Sequence, residues 1–275
     1  MPEGVHGLPR YEGVLRRRPS FPVVAFEEVR RALQNPWARF ALMLAFAYSV
    51  VYLGSLWTLK QSRGDSVHTM ENFLYFVNLL RWAALAIAAV MTGPSLLEDQ
   101  RRGALELYFS RAVTKADYLA GKVLAVLGLT FISVFGPAMV YFAGSWVLFE
   151  KMPDRWAWVP LTAAAYAAIW ALVVAGVGLG LSLVSRSSRA ATLLLFGGVA
   201  VLDVIISNLL EAITRNDSVQ VISPLSALGQ QVGWLFGADL PYTFPFWWGL
   251  VTLGGLALVG WVLVAIRHPR LQGVD

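Results

Sequence analysis

The chain has 275 residues, 57% hydrophobic and only 14% charged, with a formal net charge of +5 and no cysteine. It is too apolar for an ordinary soluble domain, and a chain without cysteine has no disulfide framework, thiolate metal site or cysteine nucleophile. The positive charge does not point to nucleic acid, because the basic residues gather in alternate loops between long apolar runs, which is a pattern of membrane topology.

Residues 1–20 are polar and carry Arg16, Arg17 and Arg18. A secretory signal would follow them with a short apolar run and a small-residue cleavage site. Here Ser20 and Pro22 instead open a segment in which Val23, Phe26, Val29 and Leu33 recur at helical spacing, opposite Glu27, Glu28, Arg30 and Arg31. The spacing predicts an amphipathic helix on the membrane surface, capped by Ser20 and ended by Asn35-Pro36. Residues 1–36 are thus a cytoplasmic tail and interfacial helix.

Six apolar segments follow, at about 37–59, 73–93, 118–149, 158–184, 190–210 and 244–266; each has the roughly 20 residues needed to cross about 30 Å of hydrocarbon. Gly136-Pro137 is expected to kink the third. In the fourth, Ala164, Ala168, Gly176 and Gly180 share one face, where a neighbouring helix can come close. With the N-terminus inside, cytoplasmic segments hold sixteen of the 22 Lys/Arg and external segments five, Arg81 being within the second span. Both termini are therefore expected in the cytoplasm, leaving 268–275 as a short tail. The external stretch 211–243 is too apolar for a plain loop, and ISPLSALGQQVGWLFG within it suits a short helix dipping into the outer leaflet. The fold class expected is an all-α polytopic membrane protein with six transmembrane helices.

The longest charged interruption, Ser95 to Lys122, holds the first candidate site. Gly93-Pro94 is expected to end the second helix and Ser95-x-x-Glu98 to cap a restart. Glu98, Asp99, Arg101 and Arg102 form a charged shoulder, followed by Gly103, Leu105, Glu106, Tyr108, Phe109 and Ser110, in which Leu105, Tyr108 and Phe109 share a helical face. Thr114-x-x-Asp117 reads as a second capping box opening the third span. Such a segment can dock on a partner or lie on lipid headgroups. The second candidate is a pair of charges inside spans. Arg81 and Asp203 each lie roughly 10–12 Å below the outer surface at 1.5 Å per residue. Charges at that depth face a partner or water, so the two form a pair at a pathway or dimer seam, form a static structural pair, or are hydrated separately. His6, His68 and His268 make no ligand spacing and read as solvated; no residues converge as a catalytic or metal set.

The run from Glu98 to Lys122 resembles the loop between the second and third spans of type-2 ABC transporter permeases. Glu98, Gly103, Ala104, Leu105, Glu106, Ser110, Val113, Thr114, Gly121 and Lys122 carry the likeness, and Ala112 departs from the family's usual proline. The interfacial helix, six spans, the inner turn SRSSRA and the Ile-Ser-Pro-Leu segment extend it along the chain. The resemblance implies a permease subunit, an exporter of the bacterial cytoplasmic membrane, whose short cytoplasmic coupling helix, Gly103 to Ser110, seats on a separate ABC nucleotide-binding ATPase. It also implies a second permease copy or a paralogous permease, with ATP and Mg on the ATPase and no cofactor in this chain. A periplasmic or membrane partner driven without solute transfer is an alternative; a secondary transporter or membrane scaffold is another, disfavoured because Asp203 is the only acid well inside a span. A Walker loop is not formed by Gly121-Lys122, which is followed by Val123 and has Ala116 where the first glycine belongs.

Overall fold

The computed structural model describes residues 20–64, 68–101, 113–153, 155–237 and 242–267. They form an all-helical structure: α1 Phe21–Gln34, α2 Pro36–Arg63, α3 Met70–Arg101, α4 Lys115–Leu148, α5 Val159–Val184, α6 Ser188–Val204, α7 Glu211–Thr214, α8 Pro224–Phe236 and α9 Phe246–Arg267. Five segments are long and apolar enough to cross a bilayer: Pro36–Arg63, Met70–Asp99, Lys115–Leu148, Trp156–Val184 and Phe246–Ile266. The stretch expected as the fifth span runs as α6, becomes π-helical over Ile205–Leu210, and returns to α-helix in α7.

Local chemistry sets the boundaries. Asn35 is extended and its side chain accepts from Trp37 N, so one residue ends α1 and caps α2, with Pro36 in the first turn where its missing N–H costs nothing. Thr114 caps α4 by accepting from Asp117 N at 3.0 Å, as the second capping box predicts. Ser20 does not cap α1; its hydroxyl donates to the Asp117 carboxylate instead, tying the start of α1 to the start of α4. Gly237 ends α8 in the left-handed conformation at φ 64°, a position that favours glycine.

The expected break at Gly93-Pro94 is not made: α3 runs unbroken to Arg101 with Pro94 inside it. A mid-helix proline forfeits a backbone hydrogen bond, about 3 kcal/mol or more, and here packing outweighs it. Gly93 lies so close to α6 that a Cβ would come 2.9 Å from the Ser188 carbonyl oxygen. In the turn before the proline, Thr192 of α6 donates to the Ala89 carbonyl at 3.1 Å. Ser95 is accordingly not a helix cap but a buried residue within α3. α4 is likewise continuous through Gly136-Pro137, where Ser49 of α2 donates to the Pro137 carbonyl.

Between helices in lipid, burying apolar surface supplies little net drive, so close packing and interhelical hydrogen bonds hold the bundle. Gly176 and Gly180 of α5 meet α9: a Cβ on Gly260 would sit 2.3 Å from the Gly176 carbonyl carbon, and one on Gly180 would sit 2.9 Å from the Gly260 carbonyl oxygen. The small-residue face of the fourth span does admit a close neighbour, at its glycine half. Toward the start of α3 and the end of α4 the interior is filled with rings. Phe76 stacks on Tyr48 at 5.2 Å and on Tyr141 at 4.8 Å, and Phe73 meets Trp156 and Phe236 edge-on. His68 belongs to this cluster. Expected in solvent, it is 5% exposed, stacked on Phe149 at 4.4 Å and edge-on to Trp156. His6 and His268 lie outside the described residues.

The glycine contact gives a stability prediction. Gly260→Ala is expected to cost about 1–3 kcal/mol through overpacking, lowering the melting temperature in detergent, whereas Gly254→Ala, with no atom within 4 Å of its added Cβ, should leave it unchanged.

Candidate functional site

Among the described residues two polar clusters interrupt the apolar bundle, one near the Arg101 end of α3 and one around Arg81, about three turns in from its start. The first lies where the end of α3 and the start of α4 flank residues 102–112 in sequence. Lys122, 1% exposed, points its ammonium at the Glu28 carboxylate at 2.6 Å, the Asp99 carboxylate at 2.8 Å and the Ser95 carbonyl at 3.0 Å. Tyr118, one turn earlier on α4, donates to Asp99 at 2.8 Å. Arg31 of α1 reaches Asp99 at 3.1 Å and Glu28 at 3.7 Å. Two cations and two carboxylates therefore balance in charge, and three helices supply them. Ammonium and carboxylate groups this buried are tolerable only when paired and hydrogen-bonded, as they are here.

α1 is turned so that this network is possible. Val24 and Glu28 are buried against the bundle, while Val23 and Phe26 are each 68% exposed and Glu27 pairs with Arg30 on the outer surface. The apolar stripe is thus left for the membrane, and the charges, expected all to face away from it, divide between solvent and the interior. The approach of α1 to α4 needs Gly121, where a Cβ would come 2.8 Å from the Phe21 carbonyl oxygen and 2.6 Å from Val24.

Of the residues expected to touch a partner, Asp99 is in this network and Glu98 lines a cleft beside it. Arg101 ends α3. Arg102, Gly103, Leu105, Glu106, Tyr108, Phe109 and Ser110, with the coupling helix they were expected to form, lie outside the described residues. Lys122 was missed as a buried cation. It sits two turns into α4, just where the helix turns apolar, a placement that itself asks for a partner, but it reads as one more loop charge when the sequence is counted for topology.

The second cluster surrounds α8. This helix is buried over nearly its whole length, as a short helix inside a membrane domain requires. Ser223 caps it by accepting from Ser226 N and donates its hydroxyl to the Asp203 carboxylate. Arg81 donates to the Leu225 carbonyl at 2.6 Å, two residues further on. The backbone carbonyl of Arg81 accepts from the Trp170 indole of α5. Downstream, Gln230 bonds to both the N–H and carbonyl of Tyr242, and Gln231 donates to the Phe246 carbonyl at 2.6 Å. Arg81 and Asp203 thus converge on the same turn of α8 from two helices, and among the described residues no ion pair joins them. The serine and the backbone carbonyl stand between.

Among the described residues no group of three or more His, Cys, Asp or Glu could hold a metal ion. A family model described as ABC-2 family transporter protein matches residues 24–270. No curated protein matches the chain in sequence.

Lys122→Met removes the buried cation and leaves Arg31 as the remaining cation facing two buried carboxylates, and it is expected to cost about 3–5 kcal/mol. The combination with Glu28→Gln and Asp99→Asn should recover most of that in a thermal melt. At α8, the double exchange of Arg81→Asp with Asp203→Arg is expected not to rescue the single variants, because each side chain has its own partner. A melt or folding yield that returned to the parent value would show a direct pair.

Proposed function

Because the chain belongs to the ABC-2 family of transporter membrane subunits, which lack ATPase activity of their own, we propose that it is the permease of an ATP-driven exporter. A separate nucleotide-binding ATPase, carrying ATP and Mg, docks on the segment from Gly103 to Ser110. The observation that carries the reading is the Lys122 network, since it clamps both helix ends bordering that segment to α1. A docking loop can deliver force only if its two roots are held, and a neutralised, buried, multiply bonded charge cluster is a stiff joint. Glu98, Arg101 and Arg102 would form the shoulder of the docking surface, with Asp99 buried behind it.

In this reading six segments cross the bilayer, the sixth being α6 with its π-helical extension, and both termini are cytoplasmic. The protomer's interior is packed with buried rings, so solute would cross between two copies of the chain, or between it and a paralogous permease. Arg81, Asp203 and the α8 turn they hold would lie at that seam or along the pathway. ATP closing the ATPase dimer would bias the permease between two conformations by binding one of them better. Apolar exposed faces on α2, α6 and α9, including Phe40, Leu193 and Leu258, suit amphiphilic cargo. Export from a bacterial cytoplasmic membrane is the direction and site we propose.

Purification of the tagged chain from its native host should bring down a polypeptide with Walker motifs. Replacing Gly103–Glu106 with serines should lower its recovery at least about tenfold, as loss of a central docking contact does, without changing the permease's own yield. Equal recovery would place the docking surface elsewhere.

A further inference from the structure

Beside the Lys122 network a cleft of about 560 Å³ opens between the start of α2, the last turns of α3 and the start of α6. Val90, Pro94 and Leu193 give it an apolar wall and Trp37 stands at its rim, while Glu98 and Arg189 bring one carboxylate and one guanidinium to it. Glu98 is half-buried and Arg189 exposed. Trp37 also borders a second groove, lined with Pro36, Arg39, Phe40 and Met43. Trp37, Phe40 and Met43 are exposed by 71%, 56% and 63%. A polar niche with one charge of each sign therefore runs onto a mostly apolar surface along α2 that acyl chains or another apolar body could cover, with Arg39 as a further cation on it.

We propose that this cleft binds a phospholipid with a primary-amine headgroup, of the phosphatidylethanolamine type, from the leaflet on the α1 side. The Arg189 guanidinium takes the phosphate with its fork of donors. The Glu98 carboxylate accepts from the headgroup ammonium, which carries three N–H donors. Trp37 lies at the glycerol level, where indoles collect at membrane interfaces, and the acyl chains follow Leu193, Phe40 and Met43. The pair of opposite charges sets the class. A choline headgroup has no N–H to give Glu98, and a glycerol headgroup brings no cation to it. The inference rests on the chain being embedded in a bilayer, and the binding test uses the permease alone, so its outcome is read without an ATPase present.

The test is native mass spectrometry of the full-length, delipidated protein in detergent, titrated separately with phosphatidylethanolamine, phosphatidylcholine and phosphatidylglycerol of matched acyl chains. Phosphatidylethanolamine is expected to bind about tenfold more tightly than phosphatidylcholine, the difference one charge-assisted hydrogen-bonding partner makes. Glu98→Gln should remove that preference while phospholipid still binds, and Arg189→Gln should weaken all three. Leu193→Trp, which fills the apolar wall at an exposed position without touching either charge, should lower occupancy by every lipid and leaves the result readable if a charge variant folds poorly. Equal binding of the three lipids, or a preference unmoved by Glu98→Gln, overturns the proposal. So does a cleft that takes no lipid because a second copy of the chain covers it.

Discussion

The structure depends on a lysine ammonium buried between two carboxylates. Lys122 is 1% exposed and holds Glu28 and Asp99 at 2.6 Å and 2.8 Å. An isolated ammonium in that place would be prohibitively costly, so the charges of α1, α3 and α4 must arrive together or not at all. That requirement fixes the rotation of α1, which presents Glu28 inward and Val23 and Phe26 outward, and it fixes the register of α3 against α4. The same contacts hold the two helix ends that border residues 102–112. A surface helix, two long bundle helices and a candidate docking segment are thereby made one mechanical piece.

α3 extends that piece across the domain. It carries Asp99 near one end and Arg81 about three turns in from the other, roughly 27 Å apart at 1.5 Å per residue, and it is a single helix between them. At the far end Arg81 grips the α8 backbone, whose cap is held by Asp203. Had Gly93-Pro94 broken α3, the two clusters would be separate. Packing of Gly93 against α6 keeps them on one rod, and a displacement of the loop would be felt at α8 through it.

Much of this was legible in the sequence, for identifiable reasons. Helix boundaries followed from local grammar at Asn35-Pro36 and at Thr114-x-x-Asp117, because a cap is decided by residues within one turn. The helix over Pro224–Phe236 was legible because an apolar run with serine ahead and glycine behind has few other uses. What failed were the readings that depend on distant neighbours. Pro94 reads as a breaker until Ser188 and Thr192 are brought against it from about a hundred residues away. His68 reads as solvated until Phe149 and Trp156 enclose it. Ser20 reads as a cap until Asp117 competes for its hydroxyl. Arg81 and Asp203 were read as able to meet, but spacing along a helix does not say which partner a side chain takes; Arg81 takes the Leu225 carbonyl and Asp203 the Ser223 hydroxyl. Lys122 was the costliest omission, because a topology count treats every lysine near a span end alike.

The claim that this permease receives its driving force through the loop rooted in the Lys122 network is most directly tested by site-specific cross-linking. The chain has no cysteine, so Leu105→Cys gives a single attachment point for a photoactivatable probe in otherwise native membranes. The result expected is one dominant adduct with a polypeptide bearing Walker motifs, lost in the presence of Lys122→Met and restored when Glu28→Gln and Asp99→Asn are added. Adducts with lipid alone, or an ATPase adduct indifferent to Lys122, would contradict it.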